Sequence, residues 1–183
     1  MSENWVKDVL AFWFEELTSE DWFKQNDDVD RTITERFGDL YQRLKTNPPD
    51  LANADAETVL AAIIVLDQFP RNMFRGSAGA FGSDNIAVAL SRGAADAGLA
   101  ASLNGDQAVF MYMPFRHSET LADQERGVML SRELGGENNL KYAIEHRDVI
   151  AKFGRFPHRN KALGRDSTAE ELEYLETASG YGQ

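Results

Sequence analysis

Apolar side chains recur every three or four residues along most of this chain, which is the spacing of one face of an α-helix. The clearest such face runs through Val29, Ile33, Phe37, Leu40, Tyr41 and Leu44. Pro48 and Pro49 should end this helix, because proline cannot donate to the helical hydrogen-bond ladder. The stretch 4–16 is also predicted to be helical, and it is apolar on most sides. We therefore expect it to be deeply buried or to lie in an interface.

Capping and helix-breaking residues predict six further helices. The first three run from Asp55 to the residue before Pro70, from Ser83 to Gly98, and from about Asp106 to Met113, before Pro114. The next two run from Ser118 to Gly135 and over 137–154. The last begins at the overlapping capping boxes of Ser167 and Thr168. No segment has the alternating pattern of a β-strand. The pattern indicates an all-α fold of about eight helices, and a length of 183 residues suits a single domain spanning 1–183.

The prolines outside the Pro48-Pro49 pair are regularly spaced. Pro70, Pro114 and Pro157 lie 44 and 43 residues apart, and each follows a large apolar residue and is followed within two residues by arginine. A period in the forties is typical of stacked helical hairpins. The sequence thus predicts antiparallel helical hairpins packed as a degenerate tetratricopeptide-like repeat, in which each proline ends a helix. If the units stack in register, the polar segments beside the three prolines converge on one edge.

Charge and composition restrict the partners. A net charge of −11 argues against binding to nucleic acid or to anionic membrane surfaces, which requires a positive surface. Residues 141–165 nevertheless hold seven Lys or Arg against two acids, and the simplest reason is pairing with acids elsewhere in the fold. Cysteine is absent, which excludes disulfides and thiol nucleophiles. With no signal peptide and no apolar run long enough to span a bilayer, we expect a soluble, cytoplasmic monomer or homodimer.

Polar side chains concentrate around the three spaced prolines, and all three histidines lie in or near these segments. Arginine offers a planar fork that matches carboxylate or phosphate groups. Histidine titrates near neutral pH and serves as a general acid or base. The sequence therefore predicts a site for a small anionic ligand, with or without catalysis. The candidate catalytic residues are His117, His158 and Asp67, and the candidate ligand-binding residues are Arg71, Asn72, Arg75, Ser118, Glu119, His146, Arg159, Asn160 and Arg165.

The same residues also suit a purely structural role. Asp67 and Glu119 could pair with nearby arginines, since buried charges must be paired, while the asparagines cap loops and the histidines bond to backbone carbonyls. Ion-pair networks of this kind resemble functional sites. The histidines and Glu119 follow no known metal-binding spacing, so neither a metal nor another cofactor is predicted.

Four stretches of the chain resemble a known family. They are VLAFWF (9–14), LDQFPRNMFRG (66–76), YMPFRHSE (112–119) and FGRFPHRNKALGRDSTAEE (153–171). Together they resemble the bacterial family catalogued as domain of unknown function 924, and the resemblance covers nearly the whole chain. It implies an all-α fold similar to tetratricopeptide-repeat proteins, and it adds Gln68 and Arg155 to the motif residues named above. It implies no settled activity.

Two functions of different classes remain open. One is a small-molecule site that recognises an anion. The other is an interaction scaffold that holds a peptide or a partner protein in a groove between helix layers. The crowding of polar residues beside the prolines, rather than along helix faces, favours the first. The anion site requires that one concave pocket be lined by Arg71, His117, His158 and Arg159. The scaffold requires an exposed apolar groove.

Overall fold

The computed structural model describes residues 4–177, and over this range the chain is helical and contains no β-strand. Its α-helices are α1 (Trp5–Ala11), α2 (Asp27–Thr46), α3 (Ala56–Ile63), α4 (Phe69–Met73), α5 (Asp84–Asp96), α6 (Gly105–His117), α7 (Leu121–Leu134), α8 (Glu137–Phe153) and α9 (Ala169–Thr177). Two π-helical segments, Phe12–Glu16 and Ile64–Gln68, and three 3₁₀ segments, Ala78–Phe81, Leu99–Ser102 and Pro157–Arg159, complete the secondary structure. The predicted all-α class is confirmed.

Most of the predicted helix ends are confirmed, because they depend on local chemistry. The Asp55 side chain accepts a hydrogen bond from the Thr58 N–H at 2.8 Å and caps α3. Gly98 and Gly154 follow the ends of α5 and α8 with φ of 66° and 68°, a left-handed conformation that costs glycine little. Thr168 and Glu171 form the predicted capping box, with Glu171 accepting from the Thr168 N–H at 2.8 Å.

The prediction that Pro70 and Pro114 end helices is wrong. Pro70 lies in the first turn of α4, directly after the π-helical segment Ile64–Gln68, and its missing N–H is not needed in a first turn. Pro114 lies inside α6, which continues to His117. Only the last turn of α6 is affected, and burial of this turn, including Phe115, outweighs the local cost. Pro157 does follow a completed helix, since α8 ends at Phe153.

A hydrophobic core joins the first seven helices. The ring of Phe69 lies at its centre and contacts the rings of Trp13 and Phe37 at centroid distances of 5.8 and 5.0 Å. Of the stretch 4–16, for which deep burial or an interface was predicted, only Val9, Phe12 and Trp13 are buried, and the other residues are partly or fully exposed. Each buried aromatic ring contributes a large apolar area, so this cluster supplies much of the hydrophobic stabilisation.

The last part of the described chain is held differently. Its apolar contacts form a small separate cluster in which Phe153 and Tyr174 pack against Val149, Ile150 and Phe156. Polar side chains supply much of the remaining attachment, among them the pairs Arg155–Glu171 and Arg165–Glu119. Among the described residues, no helix is long and apolar enough to cross a membrane.

Candidate functional site

Asp84, the first residue of α5, links two arginines that are distant in sequence. Arg71 donates to Asp84 through both terminal nitrogens, with Nη1–Oδ1 and Nη2–Oδ2 distances of 3.1 and 3.2 Å. Arg159 Nη1 donates to Asp84 Oδ2 at 3.1 Å and to the carbonyl oxygen of His117, also at 3.1 Å. All three side chains are mostly buried. The segments beside Pro70, Pro114 and Pro157 therefore meet at one point, as the sequence predicted.

Asp67 and His117 form a second contact between these segments. The His117 Nδ1 atom lies 2.8 and 2.9 Å from the two carboxylate oxygens of Asp67, which is completely buried. Asp67 belongs to the π-helical segment Ile64–Gln68, and such segments often occur at functional sites. The Gln68 amide also donates to Asp67, and Arg71 donates to the Asp67 backbone carbonyl. This arrangement fixes the orientation of the imidazole.

The protonation states of this pair follow from burial and charge. Burial alone would raise the pKa of Asp67, but attraction to His117 and Arg71 lowers that pKa to about 2. Burial lowers the pKa of His117 to about 4, and repulsion from Arg71 acts in the same direction. At neutral pH Asp67 is thus ionised and His117 is neutral, with its Nδ1–H donated to the carboxylate.

A cleft of about 200 Å³ opens beside this network. Its lining consists of Arg71, Arg75, Gly76, Ala80, Phe81, His158, Lys161 and Ala162. Among the described residues that line it, three are permanent cations and none is acidic. Lys161 is exposed and forms no salt bridge within 4–177, so its charge is available to the cleft.

Two of the predicted pocket residues lie elsewhere. Arg71 and His158 line the cleft, whereas Arg159 and His117 lie behind it. The buried Arg159 guanidinium packs over the ring of Phe81 at 4.6 Å, and Phe81 does line the cleft. Burial lowers the pKa of Arg159 to about 10, so this side chain remains charged at neutral pH. Arg159 therefore adds to the positive electrostatic potential of the cleft, although it would not contact a bound ligand.

Asn72 and Arg75 are both anchored to helix α2. The Asn72 amide donates to Asp30 Oδ1 at 2.7 Å, and Arg75 donates to the two oxygens of the same carboxylate at 3.1 and 3.0 Å. Asp30 thereby holds the end of α4 against α2. Arg75 therefore both pairs with Asp30 and lines the cleft, whereas Asn72 does not line the cleft.

A third polar cluster fastens the segment after α8 to the body of the protein. Glu119 accepts from both terminal nitrogens of Arg165 at 2.7 and 2.9 Å and from the Phe156 N–H at 2.8 Å. Asn160 receives a hydrogen bond from Arg165 Nε at 3.0 Å. Arg155 donates to both oxygens of Glu171 at 2.6 and 2.8 Å. These side chains were predicted as ligand-binding or motif residues, and their partners are protein groups.

Ser118 and His146 also lie outside the cleft lining. The Ser118 hydroxyl donates to Asp123 at 2.6 Å and accepts from the Thr120 N–H at 3.2 Å, next to the start of α7. His146 Nδ1 lies 2.7 Å from the Tyr142 carbonyl oxygen, and its ring contacts Phe156. Burial lowers the pKa of His146 to about 4, so it is neutral at pH 7.

Four residues of this site were not among the sequence candidates: Asp30, Phe81, Asp84 and Lys161. The excess of basic residues over 141–165 could have drawn attention to Lys161. Nothing in the local sequence distinguishes Asp84 or Asp30 from the other acids of an acidic protein. Within 4–177, no group of three or more His, Asp and Glu side chains is arranged to hold a metal ion.

These contacts define an all-helical protein in which buried arginines and histidines meet beside a cationic cleft. A model of the bacterial family of unknown function DUF924 matches residues 9–179, and the chain belongs to this family. It is also similar to the solved structure of ATU0120, a protein of unknown function from Agrobacterium tumefaciens. The TM-score is 0.88 and the identity 38%, and the match covers 94% of this chain and 97% of that chain. A search of curated proteins finds no match.

Proposed function

We propose that this protein binds a small anionic ligand in the cleft beside Arg71. The observation behind the proposal is the lining of the cleft, which carries Arg71, Arg75, Lys161 and His158 and no acidic side chain among the described residues. The lining is thus locally cationic within a chain of net charge −11, and a cleft lined by one sign of charge attracts ions of the opposite sign.

The two paired arginines would attract and orient the anion through their positive electrostatic field. Lys161 would contact the anion directly. Arg71 and Arg75 each share their charge with a carboxylate, Asp84 and Asp30 respectively. Lys161 has an ammonium group with three donors and no carboxylate partner within 4–177. An anion in the cleft would complete the coordination of this lysine at the lowest cost in broken contacts.

Histidine provides two candidates for proton transfer, in different positions. His158 lines the cleft, so a bound anion would lie beside a group that titrates near neutral pH in water. His117, oriented by Asp67, lies behind the lining and would act on the ligand only through Arg71 or Arg159. We therefore place His158 as the acid or base if the ligand reacts, and His117 with Asp67 as the pair that positions the arginines.

The test is a titration of the full-length protein with inorganic phosphate and with acetate, followed by calorimetry or NMR. The Lys161→Gln variant removes the charge without disturbing a salt bridge, and it should weaken binding by about tenfold, since a hydrogen bond to a charged group contributes about 1.5–3 kcal/mol. Its thermal unfolding should match that of the wild type.

Lys7→Gln is the matched control, because Lys7 is also exposed but does not line the cleft. It removes the same charge and should leave anion affinity unchanged. If neither anion binds, or if both lysine variants weaken binding equally, the cleft is not an anion site. The polar network then has only a structural role, and the interaction-scaffold hypothesis becomes the stronger one.

A further inference from the structure

Apolar side chains line the cleft beside its cations, and Ala80, Phe81 and Ala162 together form an apolar wall. We infer that its ligand is a singly charged organic acid with a flat apolar group, the charge lying at Lys161 and the apolar group against Phe81. This inference rests on the proposed anion site and specifies the chemical class of its ligand.

The first argument is the charge balance of the cleft and the groups directly behind it. The cations are Arg71, Arg75, Arg159 and Lys161, and the carboxylates are Asp30, Asp67 and Asp84. The adjacent Arg165 and Glu119 pair with each other. Because His117 is neutral at pH 7, the sum of these Arg, Lys and Asp charges leaves one positive charge uncompensated. A monoanion neutralises this charge, whereas a dianion would leave a partly buried negative charge without a partner.

The second argument is the apolar wall. Ala80, Phe81 and Ala162 line the cleft together with Gly76, so part of any ligand contacts carbon and not polar groups. The Phe81 ring is held by two guanidinium groups, since the guanidinium carbons of Arg159 and Arg71 lie 4.6 and 6.0 Å from the ring centroid. An aromatic ring held in this way offers a flat surface on which another planar group can stack. Inorganic phosphate would leave this wall unused.

The third argument is size. The cleft volume of about 200 Å³ is below the roughly 300–1,000 Å³ that is typical of pockets for drug-sized ligands. One ring with a carboxylate fits within such a space, whereas a nucleotide would extend beyond it into solvent. The cleft therefore favours a small acid through the size and apolar character of the ligand as well as through its charge.

Three probes separate these properties in NMR titrations of the full-length protein at about pH 7.5. Benzoate has a ring and one negative charge, acetate has the charge without the ring, and phenyl phosphate has the ring with nearly two charges because its second pKa is near 6. Benzoate should bind about tenfold more tightly than acetate, as expected for burying one aromatic ring. Phenyl phosphate should bind no more tightly than benzoate.

Variants test the role of the ring. Phe81→Ala should abolish the preference for benzoate over acetate while acetate affinity stays within about twofold of the wild type. Phe81→Leu preserves an apolar side chain against Arg159 and should retain part of the preference, which covers the case in which Phe81→Ala does not fold. Phe23→Ala is the control, because Phe23 is exposed and does not line the cleft.

The possible failures are distinguishable. Equal affinities for acetate and benzoate, or tighter binding of phenyl phosphate than of benzoate, would overturn the inference about ligand class and leave the anion site intact. Absence of binding by all three probes would overturn both proposals.

Discussion

Asp84, at the start of α5, is the carboxylate partner of two largely buried arginines. It accepts hydrogen bonds from Arg71 and Arg159, whose side chains are only 10% and 5% exposed. A buried guanidinium without a carboxylate is strongly destabilising, because its desolvation is no longer offset. One carboxylate therefore holds together groups from three segments of the chain.

Asp84→Asn should lower the free energy of unfolding by on the order of 3 kcal/mol, since Arg159 loses its carboxylate partner and Arg71 keeps only Asp67, at 3.7 Å, while the shape is kept. Urea denaturation at neutral pH measures this change. Asp96→Asn is the matched control, because the Asp96–Arg126 pair lies at the surface and should contribute less than about 1 kcal/mol. Equal losses in the two variants would show that the buried arginines do not depend on Asp84.

At the scale of elements, the segment from the end of α8 to α9 depends on polar contacts more than on burial. Its apolar cluster is small, and Glu119 reaches it from the loop between α6 and α7. Glu119 accepts from the Phe156 backbone and from Arg165, so it joins the two ends of the 156–165 loop to a distant part of the chain. This loop carries both His158 and Lys161, so the cleft depends on it.

Glu119→Ala should therefore release this segment locally, without unfolding the core. Amide hydrogen exchange should rise by about tenfold or more between residue 156 and α9, because the Phe156 N–H loses its acceptor and the Arg165 guanidinium loses its carboxylate partner. Protection in α3 and α6 should change little. Lys152→Gln removes the exposed pair with Glu170 but keeps a long side chain over the Phe153 ring, and it serves as the control with no expected effect. Uniform loss of protection in Glu119→Ala would mean that the segment unfolds only with the whole molecule.

For the molecule as a whole, two partly buried histidines set the dependence of stability on pH. His117 and His146 have pKa values lowered to about 4 by burial, whereas an unfolded histidine titrates near 6.5. Between these values the unfolded chain binds more protons than the folded chain, so protonation favours unfolding. Their effect is absent above pH 6.5 and grows as the pH falls from 6.5 towards 4.

The free energy of unfolding should accordingly fall between pH 7 and pH 5, by about 1–2 kcal/mol for each of the two histidines. Urea denaturation across this range measures the total. His117→Asn keeps a donor for Asp67 but does not titrate, so it should remove about half of the fall. His146→Asn should remove a similar share. An unchanged slope in both variants would show that these imidazoles are not buried in their neutral form.

The sequence alone determined the helices and most of their ends, and it identified which polar segments would meet. Helix formation and glycine or carboxylate capping depend on backbone sterics and on hydrogen bonds between residues a few positions apart, as at Asp55 and Gly154. The meeting of Asp67 with His117 and Arg159 was also predicted, although the reason given was partly wrong, since Pro70 and Pro114 lie within helical stretches. Nearly all the candidate residues take part in the hydrogen-bond and ion-pair networks of the structure.

Only the tertiary structure decided which candidate faces the cleft and which acid neutralises which arginine. Lys161 and Phe81 line the cleft, while Asn160 and Ser118 bond to protein groups, and no local pattern separates these outcomes. Asp84 pairs with a residue 75 positions away. Such pairings depend on distances between helices, which are set by how the aromatic core around Phe69 packs, and the energy of a charge depends on that environment and not on its neighbours in sequence.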